Sequence, residues 1–132
     1  MVFLIAADVI VQAERGKLDL DAWLRAHPDD EIKVASITVA ELWHSVERAS
    51  GLPRARRVKF LERTLSVFEV VPYSERAAVS HARLWSALEA TGQKIGMQDQ
   101  ILATTAFEQD ATLVTFHTRR FEGIPGLAVV AP

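Results

Sequence analysis

The sequence predicts an α/β protein of three layers, with a central parallel sheet flanked by helices. Short, continuous apolar runs recur along the chain, as they do in strands that are buried on both faces of a parallel sheet. Segments with helical spacing of apolar residues separate these runs, and this alternation is typical of crossover-connected parallel strands. The chain has 132 residues, of which 49% are hydrophobic. We therefore expect a single domain over residues 1–132 with a sizeable core.

Four apolar runs are predicted as strands because each is rich in β-branched or aromatic residues. The first, VFLIAADVIV, extends from Val2 to Val11 and contains one acidic residue, Asp8. The others are FEVVPY (68–73), ATLVTF (111–116) and LAVV (127–130). An unpaired carboxylate is rarely buried without a partner, a proton or a metal ion, so Asp8 needs an explanation.

Five segments between the runs are predicted as helices. They are residues 18–27, 38–50, 53–68, 74–92 and 97–110, and the second follows the segment VASI. Pro53 suits a first helical position, and Ser74 is expected to cap the N-terminus of its helix. Gly51 and Gly92 are expected just beyond helix ends.

The composition of the chain argues against a disulfide-bonded protein, a membrane-spanning protein and a site with thiolate metal ligands. The chain has no cysteine, which excludes disulfides and thiolate metal sites and fits a reducing cytoplasm. The N-terminus lacks the features of a signal peptide, and no apolar run approaches the roughly 20 residues that span a bilayer. The net charge is −2, so any affinity for nucleic acid requires a local basic patch.

Four polar residues are candidates for a common site at the carboxyl ends of the parallel strands. Asp8 lies late in the first run, and Glu41 is expected in the first turn of the helix after VASI. Asp99 opens the helix before the third run, and His117 immediately follows that run. Clustered carboxylates favour a shared proton or a hard cation, and Mg²⁺ or Mn²⁺ binds carboxylate and water oxygens.

Each candidate also has a structural explanation. Thr38 and Glu41 fit a capping box, in which Glu41 bonds a backbone N–H. Asp99 favours a helix N-terminus electrostatically, and Asp8 fits a turn after a short strand. His117 fits a loop histidine with ordinary hydrogen bonds. These explanations remain open beside the metal site.

Three motifs lie between residues 37 and 127: ITVAEL (37–42), GQKIGMQDQILATTA (92–106) and LVTFHTRRFEGIPGL (113–127). In this order and spacing they resemble segments of the PIN-domain ribonucleases, and in particular the VapC-type toxins of bacterial toxin–antitoxin pairs. The resemblance implies a PIN-like fold and an endoribonuclease that depends on Mg²⁺ or Mn²⁺. It also implies an RNA substrate, a cognate antitoxin and a homodimer.

The resemblance assigns roles by position. Glu41 and Asp99 match two acidic site residues of the family, and Asp8 matches a polar residue beside the metal. His117 stands where the family usually has Asn or Asp. The resemblance thus implies Glu41, Asp99 and Asp8 as metal ligands, and these three with His117 as the catalytic group.

The chain departs from the family at Ala6, which aligns with the first acidic residue of the family's site. Three explanations are open. The chain is an engineered inactive form, or a natural homologue that has lost activity and still binds its antitoxin. Alternatively, Asp8 has taken over as ligand, since residues two apart on a strand share a face. We favour the first because the rest of the site matches the family.

Two basic clusters are candidates for RNA phosphates. Arg119 and Arg120 are expected beside the site, which ranks them above the Arg54–Arg63 cluster, where a solvated helix face is the alternative. Trp43 and Trp85 are expected in the core or in a dimer interface. Helix residues Leu42, Val46, Leu61 and Leu65 form either core or a groove for an antitoxin peptide.

Three functional hypotheses follow. The first is a metal-dependent ribonuclease toxin with a metal site impaired at Ala6. The second is a catalytically silent PIN-like protein that binds an antitoxin or RNA. The third, a flavodoxin-like or response-regulator-like module, is disfavoured because the chain lacks a glycine-rich phosphate loop and a matching lysine at a strand end.

Overall fold

The computed structural model, which describes residues 1–132, contains one sheet of five parallel strands. The strands are β1 (Val2–Ile5), β2 (Glu31–Ala35), β3 (Glu69–Val71), β4 (Thr112–Val114) and β5 (Val129–Val130). They pair in the order β3-β2-β1-β4-β5, and all four pairings are parallel. The central strand is β1, whose Leu4 pairs with Lys33 on one side and with Leu113 on the other.

Helices cover both faces of this sheet. They are α1 (Ala7–Glu14), α2 (Leu20–Arg25), α3 (Ser36–Glu47), α4 (Gly51–Leu65), α5 (Glu75–Ala90) and α6 (Met97–Glu108), followed by a 3₁₀ turn, Thr118–Phe121. None of them is both long and apolar enough to cross a bilayer.

Two apolar clusters form the core, one on each side of the sheet. Phe3 and Ile5 of β1 pack in one cluster with residues of α1, α3 and α4, including Val9 and Leu61. Leu4 points to the other side and packs in the second cluster, with Leu88, Leu102 and others from α5 and α6. This alternation along β1 gives the three layers and confirms the predicted fold class.

The first predicted strand is too long, and this is the main correction to the fold. Strand β1 ends at Ile5, and the rest of the apolar run forms α1, with Val9 and Ile10 buried. A continuous apolar run does not distinguish a buried strand from a buried helix, which explains the error. Asp8 therefore lies in the first turn of α1 and not on a strand. Residues 6 and 8 therefore do not share a strand face, and the prediction that they do is wrong.

A second correction concerns the entry to α3. The segment EIKVA forms β2, which was not among the four predicted runs, and α3 begins directly after it at Ser36. Thr38 is therefore inside the helix, and Glu41 lies in its second turn, so the predicted capping box is not formed. The Thr38 hydroxyl is fully buried and has no hydrogen-bond partner.

The other predicted strands and helix ends agree better with the observed ones. The last three predicted strands are present and shorter, and the Ser74 hydroxyl caps α5 by accepting from the Ala77 N–H at 3.1 Å. Gly92 follows α5 with φ +71°. Gly51 was expected beyond a helix end, and it instead begins α4, so that Pro53 is the third residue of that helix.

Candidate functional site

The four site residues predicted from the sequence line one cavity at the carboxyl edge of the sheet. Asp8 follows β1, Asp99 lies in the first turn of α6, and His117 follows β4. Together with Glu41 of α3, they border a cavity of about 90 Å³. The remaining lining residues are Ala6, Ala7, Leu102, Thr115, Arg120 and Phe121.

Asp8 connects α1 to the chain that leaves β4. One carboxylate oxygen accepts a hydrogen bond from the Thr115 hydroxyl at 2.9 Å, and the other accepts from the Phe116 N–H at 2.8 Å. The Thr115 oxygen also accepts from the His117 N–H at 3.0 Å. Asp8 thus holds the segment that positions His117, in addition to lending a negative charge to the cavity.

Asp99 forms the strongest polar contact of the site, with Arg120. The Arg120 Nη2 lies 2.6 Å and 2.8 Å from the two Asp99 oxygens, and its Nε lies 3.1 Å from one of them. The Nε and Nη2 of Arg120 therefore both donate to the one Asp99 carboxylate, which is the geometry of a strong charge-assisted pair. The Asp99 side chain is 16% exposed, whereas that of Arg120 is 57% exposed.

Glu41 has no such partner, since none of the salt bridges includes it. Its pKa is raised above the ordinary value of 4.5, mainly by burial and then by the Asp99 carboxylate. Arg120 lowers the pKa in part, and Asp8 raises it again. The cavity therefore holds more negative charge than its one guanidinium balances.

This raised pKa predicts how Glu41→Gln affects stability. The folded protein binds the Glu41 proton more tightly than the unfolded chain, so Glu41 contributes stability below pH 4.5 and this contribution is lost as the pH rises through the folded-state pKa. At neutral pH we expect Glu41→Gln to raise the free energy of unfolding of the metal-free protein, and near pH 4 we expect the gain to disappear. Urea titrations at the two pH values measure this. An equal gain at both would contradict it.

Ala6 borders the same cavity, between β1 and α1. It is 4% exposed and occupies the N-cap position of α1, where its side chain offers no acceptor. Thr38, whose buried hydroxyl lacks a partner, lies just beyond β2, the strand beside β1. Ala6 therefore contributes no polar side chain to the cavity, and the Thr38 hydroxyl, nearby in α3, is buried without a hydrogen bond.

The oxygen donors of the site suit a divalent cation, but one of the carboxylates, that of Asp99, is already paired with Arg120. Carboxylate oxygens suit Mg²⁺ or Mn²⁺, and the unbalanced charge around Glu41 would be relieved by a cation. However, no three acidic or imidazole side chains lie close enough together to form a ready-made metal centre. Both oxygens of Asp99 are already in contact with the Arg120 guanidinium.

A second cavity adjoins Glu41 and is bordered by residues of α3 and α6. Its volume is about 440 Å³, and it is lined by Ile37, Ala40, Glu41, His44 and Gln98. Glu41 thus borders both cavities, which places an open groove beside the acidic group.

The sequence indicates the acidic residues of the site, but it indicates neither Thr115 nor the pairing of Arg120 with Asp99. Thr115, which holds Asp8, follows the same strand as His117 and could have been found as a hydroxyl at a strand end. Arg120 was expected beside the site, and it does line the cavity. Its pairing with Asp99 was not foreseen, because nothing in the sequence indicates which way the 3₁₀ turn directs it.

The basic cluster of α4 is partly engaged in the fold. Arg54 lies 3.4 Å from a Glu47 oxygen, and Arg57 lies 3.2 Å from a Glu14 oxygen. These contacts connect α4 to α3 and α1. Trp43 packs partly buried against the first core cluster, whereas Trp85 is 45% exposed and stacks on His81.

Comparison with known proteins agrees with this geometry. The sequence model of the PIN domain matches residues 5–127. Ribonuclease VapC of Rickettsia bellii is 27% identical over 98% of this chain and 96% of its own length. The tRNA(fMet)-specific endonuclease VapC of Salmonella typhimurium is 31% identical over 73% of this chain and 71% of its own.

A solved structure shares the whole fold. The crystal structure of VapBC2 from Rickettsia felis, bound to a DNA fragment from its promoter, contains a chain that superposes with a TM-score of 0.90. That chain is 25% identical, and the match covers 100% of this chain and 99% of the other. The matched domain, the relatives and the sheet topology lead to one conclusion: this chain belongs to the PIN-domain family, among its VapC-type proteins.

Proposed function

We propose that this chain is an endoribonuclease toxin of a type II toxin–antitoxin pair, dependent on Mg²⁺ or Mn²⁺ and weakened by Ala6. Its substrate is RNA and it acts in the cytoplasm. The observation that carries the proposal is the cavity at the carboxyl edge of the sheet that Asp8, Glu41 and Asp99 all line. Relatives named as ribonucleases and as an endonuclease support the class of reaction.

Glu41 and Asp99 would hold the cation, with Asp8 beside them. A bound divalent cation lowers the pKa of water and stabilises negative charge on a phosphodiester. The protein's own residues supply the rest. Asp8 fixes the Thr115–His117 segment through its two hydrogen bonds, and the fixed segment sets the position of His117 at the cavity.

The basic residues near the cavity would bind the RNA backbone. Arg119 is exposed beside Arg120 on the 3₁₀ turn, so it is within the same short element as the cavity wall. Part of the α4 cluster is already paired with Glu14 and Glu47. This supports the ranking of Arg119 and Arg120 above α4 for RNA.

The proposal includes two protein partners. A cognate antitoxin is supported by relatives that were crystallised as VapBC complexes. A homodimer is supported by exposed apolar residues on α5, where Trp85 is 45% and Val79 50% exposed.

The second candidate is a catalytically silent PIN-domain protein that binds an antitoxin or RNA. Two observations favour it specifically: Ala6 offers no oxygen to the cavity, and Asp99 is already neutralised by Arg120. A silent protein would keep the fold and the surface and would lack cleavage.

Cleavage of total RNA in Mg²⁺ and in EDTA separates the two candidates. For the ribonuclease we expect slow, Mg²⁺-dependent cleavage, and we expect Asp99→Ala to reduce it by about 10²-fold, a typical loss for one charge-stabilising group. Asp29→Ala, at an exposed turn residue, is the control and should cleave like the parent. Cleavage that survives EDTA or Asp99→Ala would refute the proposed site, and no cleavage at all would favour the silent protein.

A further inference from the structure

The 3₁₀ turn after β4 carries two arginines with different environments. Arg120 lies over Asp99 and contacts both of its carboxylate oxygens. Arg119 is the preceding residue, is exposed, and takes part in no salt bridge. Of the two, only Arg120 lines the acidic cavity.

We propose that Arg120 is the resident cation of this cavity, and that a divalent ion binds only by displacing it from Asp99. The inference rests on the proposed metal-dependent function, which it deepens by naming a competitor within the chain. Three carboxylates line the cavity, those of Asp8, Glu41 and Asp99, and one guanidinium faces them.

The competition follows from shared atoms. Arg120 contacts Oδ1 and Oδ2 of Asp99 at 2.8 Å and 2.6 Å, so no Asp99 oxygen is free of the guanidinium. The Asp8 oxygens are likewise engaged, by Thr115 and Phe116. A divalent ion bound to an Asp99 oxygen would lie next to the Arg120 guanidinium, and two cations that close together repel strongly. The guanidinium must therefore leave Asp99 when the ion binds.

The solvent exposure of the two side chains indicates that Arg120, and not Asp99, moves when the pair separates. The Arg120 side chain is 57% exposed, and it extends from a single 3₁₀ turn at the surface. Asp99 is only 16% exposed and is fixed in the first turn of α6. Arg120 is therefore able to swing into solvent while Asp99 stays in place. Once released, its guanidinium stands at the edge of the cavity, where an RNA phosphate would arrive.

Ala6 shifts the balance of this competition. An acidic residue at position 6 would add a fourth carboxylate to the cavity, and the added negative charge favours a doubly charged ion over a singly charged guanidinium. With Ala6 the cavity has one carboxylate fewer, so replacement of the Arg120 guanidinium by a divalent ion is less favourable. The Arg120–Asp99 pair is accordingly the state expected at low concentrations of divalent ions.

Binding of Mn²⁺ to the purified protein, followed by isothermal titration calorimetry, tests the proposal. Arg120→Gln removes the charge and keeps a polar side chain of similar reach, so we expect the affinity for Mn²⁺ to rise roughly tenfold or more. Arg119→Gln removes the same charge one residue away and should change the affinity less than about twofold, because an exposed charge at longer range is screened. Arg120→Lys retains the charge without the two-pronged grip and should lie between.

The outcomes distinguish this inference from the proposed function. Equal gains from Arg119→Gln and Arg120→Gln would reduce the effect to net charge and overturn the inference, as would a loss of affinity in Arg120→Gln. Absence of Mn²⁺ binding in every variant would also overturn it. Tighter Mn²⁺ binding in Arg120→Gln, together with no cleavage of RNA by the unsubstituted chain, would support Arg120 as the competitor and reject the ribonuclease. Should Arg120→Gln fail to fold, a gain in Arg120→Lys over Arg119→Gln supports the inference, and no gain overturns it.

Discussion

Ala6→Asp is expected to raise the rate of Mg²⁺-dependent RNA cleavage by about 10²–10³-fold, the usual effect of one well-placed charge-stabilising group. Ala6 is buried and lines the same cavity as Asp8, Glu41 and Asp99. A carboxylate there would add an anionic oxygen for the cation, and we expect the affinity for Mg²⁺ to rise with the rate. The measurement is paired: Mg²⁺ titration and cleavage of total RNA for both forms, at one pH and one salt concentration.

Stability should move in the opposite direction when no metal is present. A fourth carboxylate would repel the other three in a partly buried cavity, so we expect the present chain to be at least as stable as Ala6→Asp in EDTA. Ala6→Asn is the matched control, because asparagine caps a helix as well as aspartate does but adds no charge. A gain in rate with Ala6→Asn as large as that with Ala6→Asp would exclude a charge effect. If the present chain cleaves as fast as Ala6→Asp, Asp8 is the working ligand and the site is not impaired.

Asp8→Ala is expected to lower the free energy of unfolding by about 3 kcal/mol, since hydrogen bonds to a charged group contribute roughly 1.5–3 kcal/mol each. The Asp8 carboxylate accepts from the Thr115 hydroxyl and the Phe116 N–H, and Thr115 is 1% exposed. Removal of the acceptor leaves the Thr115 hydroxyl without this partner in the interior. Less repulsion at Glu41 offsets part of the loss. Urea unfolding at neutral pH in EDTA measures the change.

Asp8→Asn is the control for this effect, because its amide keeps one acceptor oxygen. We expect it to lose less stability than Asp8→Ala, and we expect Thr115→Val to lose less as well, because the bond to Phe116 remains. A change of under about 0.5 kcal/mol in Asp8→Ala, the range of an ordinary surface substitution, would show that the two hydrogen bonds contribute little.

The layered fold was predictable from sequence because buried parallel strands and amphipathic helices leave separate patterns. The boundaries were less so. Residues 2–11 form one nearly continuous apolar run in the sequence, and only the fold shows that α1 starts at Ala7. β2 was missed because EIKVA has charged residues at alternate positions, and one of them, Lys33, is satisfied by Glu69 and Gln109 from distant segments.

The candidate site was predictable to the level of its acidic residues. Asp8 and Asp99 lie in the first turns of α1 and α6, and His117 follows β4. Glu41 lies in the second turn of α3, which directly follows β2. Positions just beyond parallel strands converge at the carboxyl edge of the sheet. Pairing within the site was not predictable. Whether Arg120 faces solvent or Asp99 depends on a single 3₁₀ turn, and the raised pKa of Glu41 depends on burial that only the packed structure defines.

The hydrogen bond between Asp8 and Thr115 joins residues 107 positions apart in the chain. The ribosome makes the central strand β1 well before its neighbour β4 and the residues that fix Asp8. A nascent chain that has not yet reached β4 therefore carries Asp8 and Glu41 without a closed cavity, because the contacts that close it are non-local. For the ribonuclease proposed above, such a chain would be harmless to the RNA around the ribosome until β4 and the 3₁₀ turn after it have emerged.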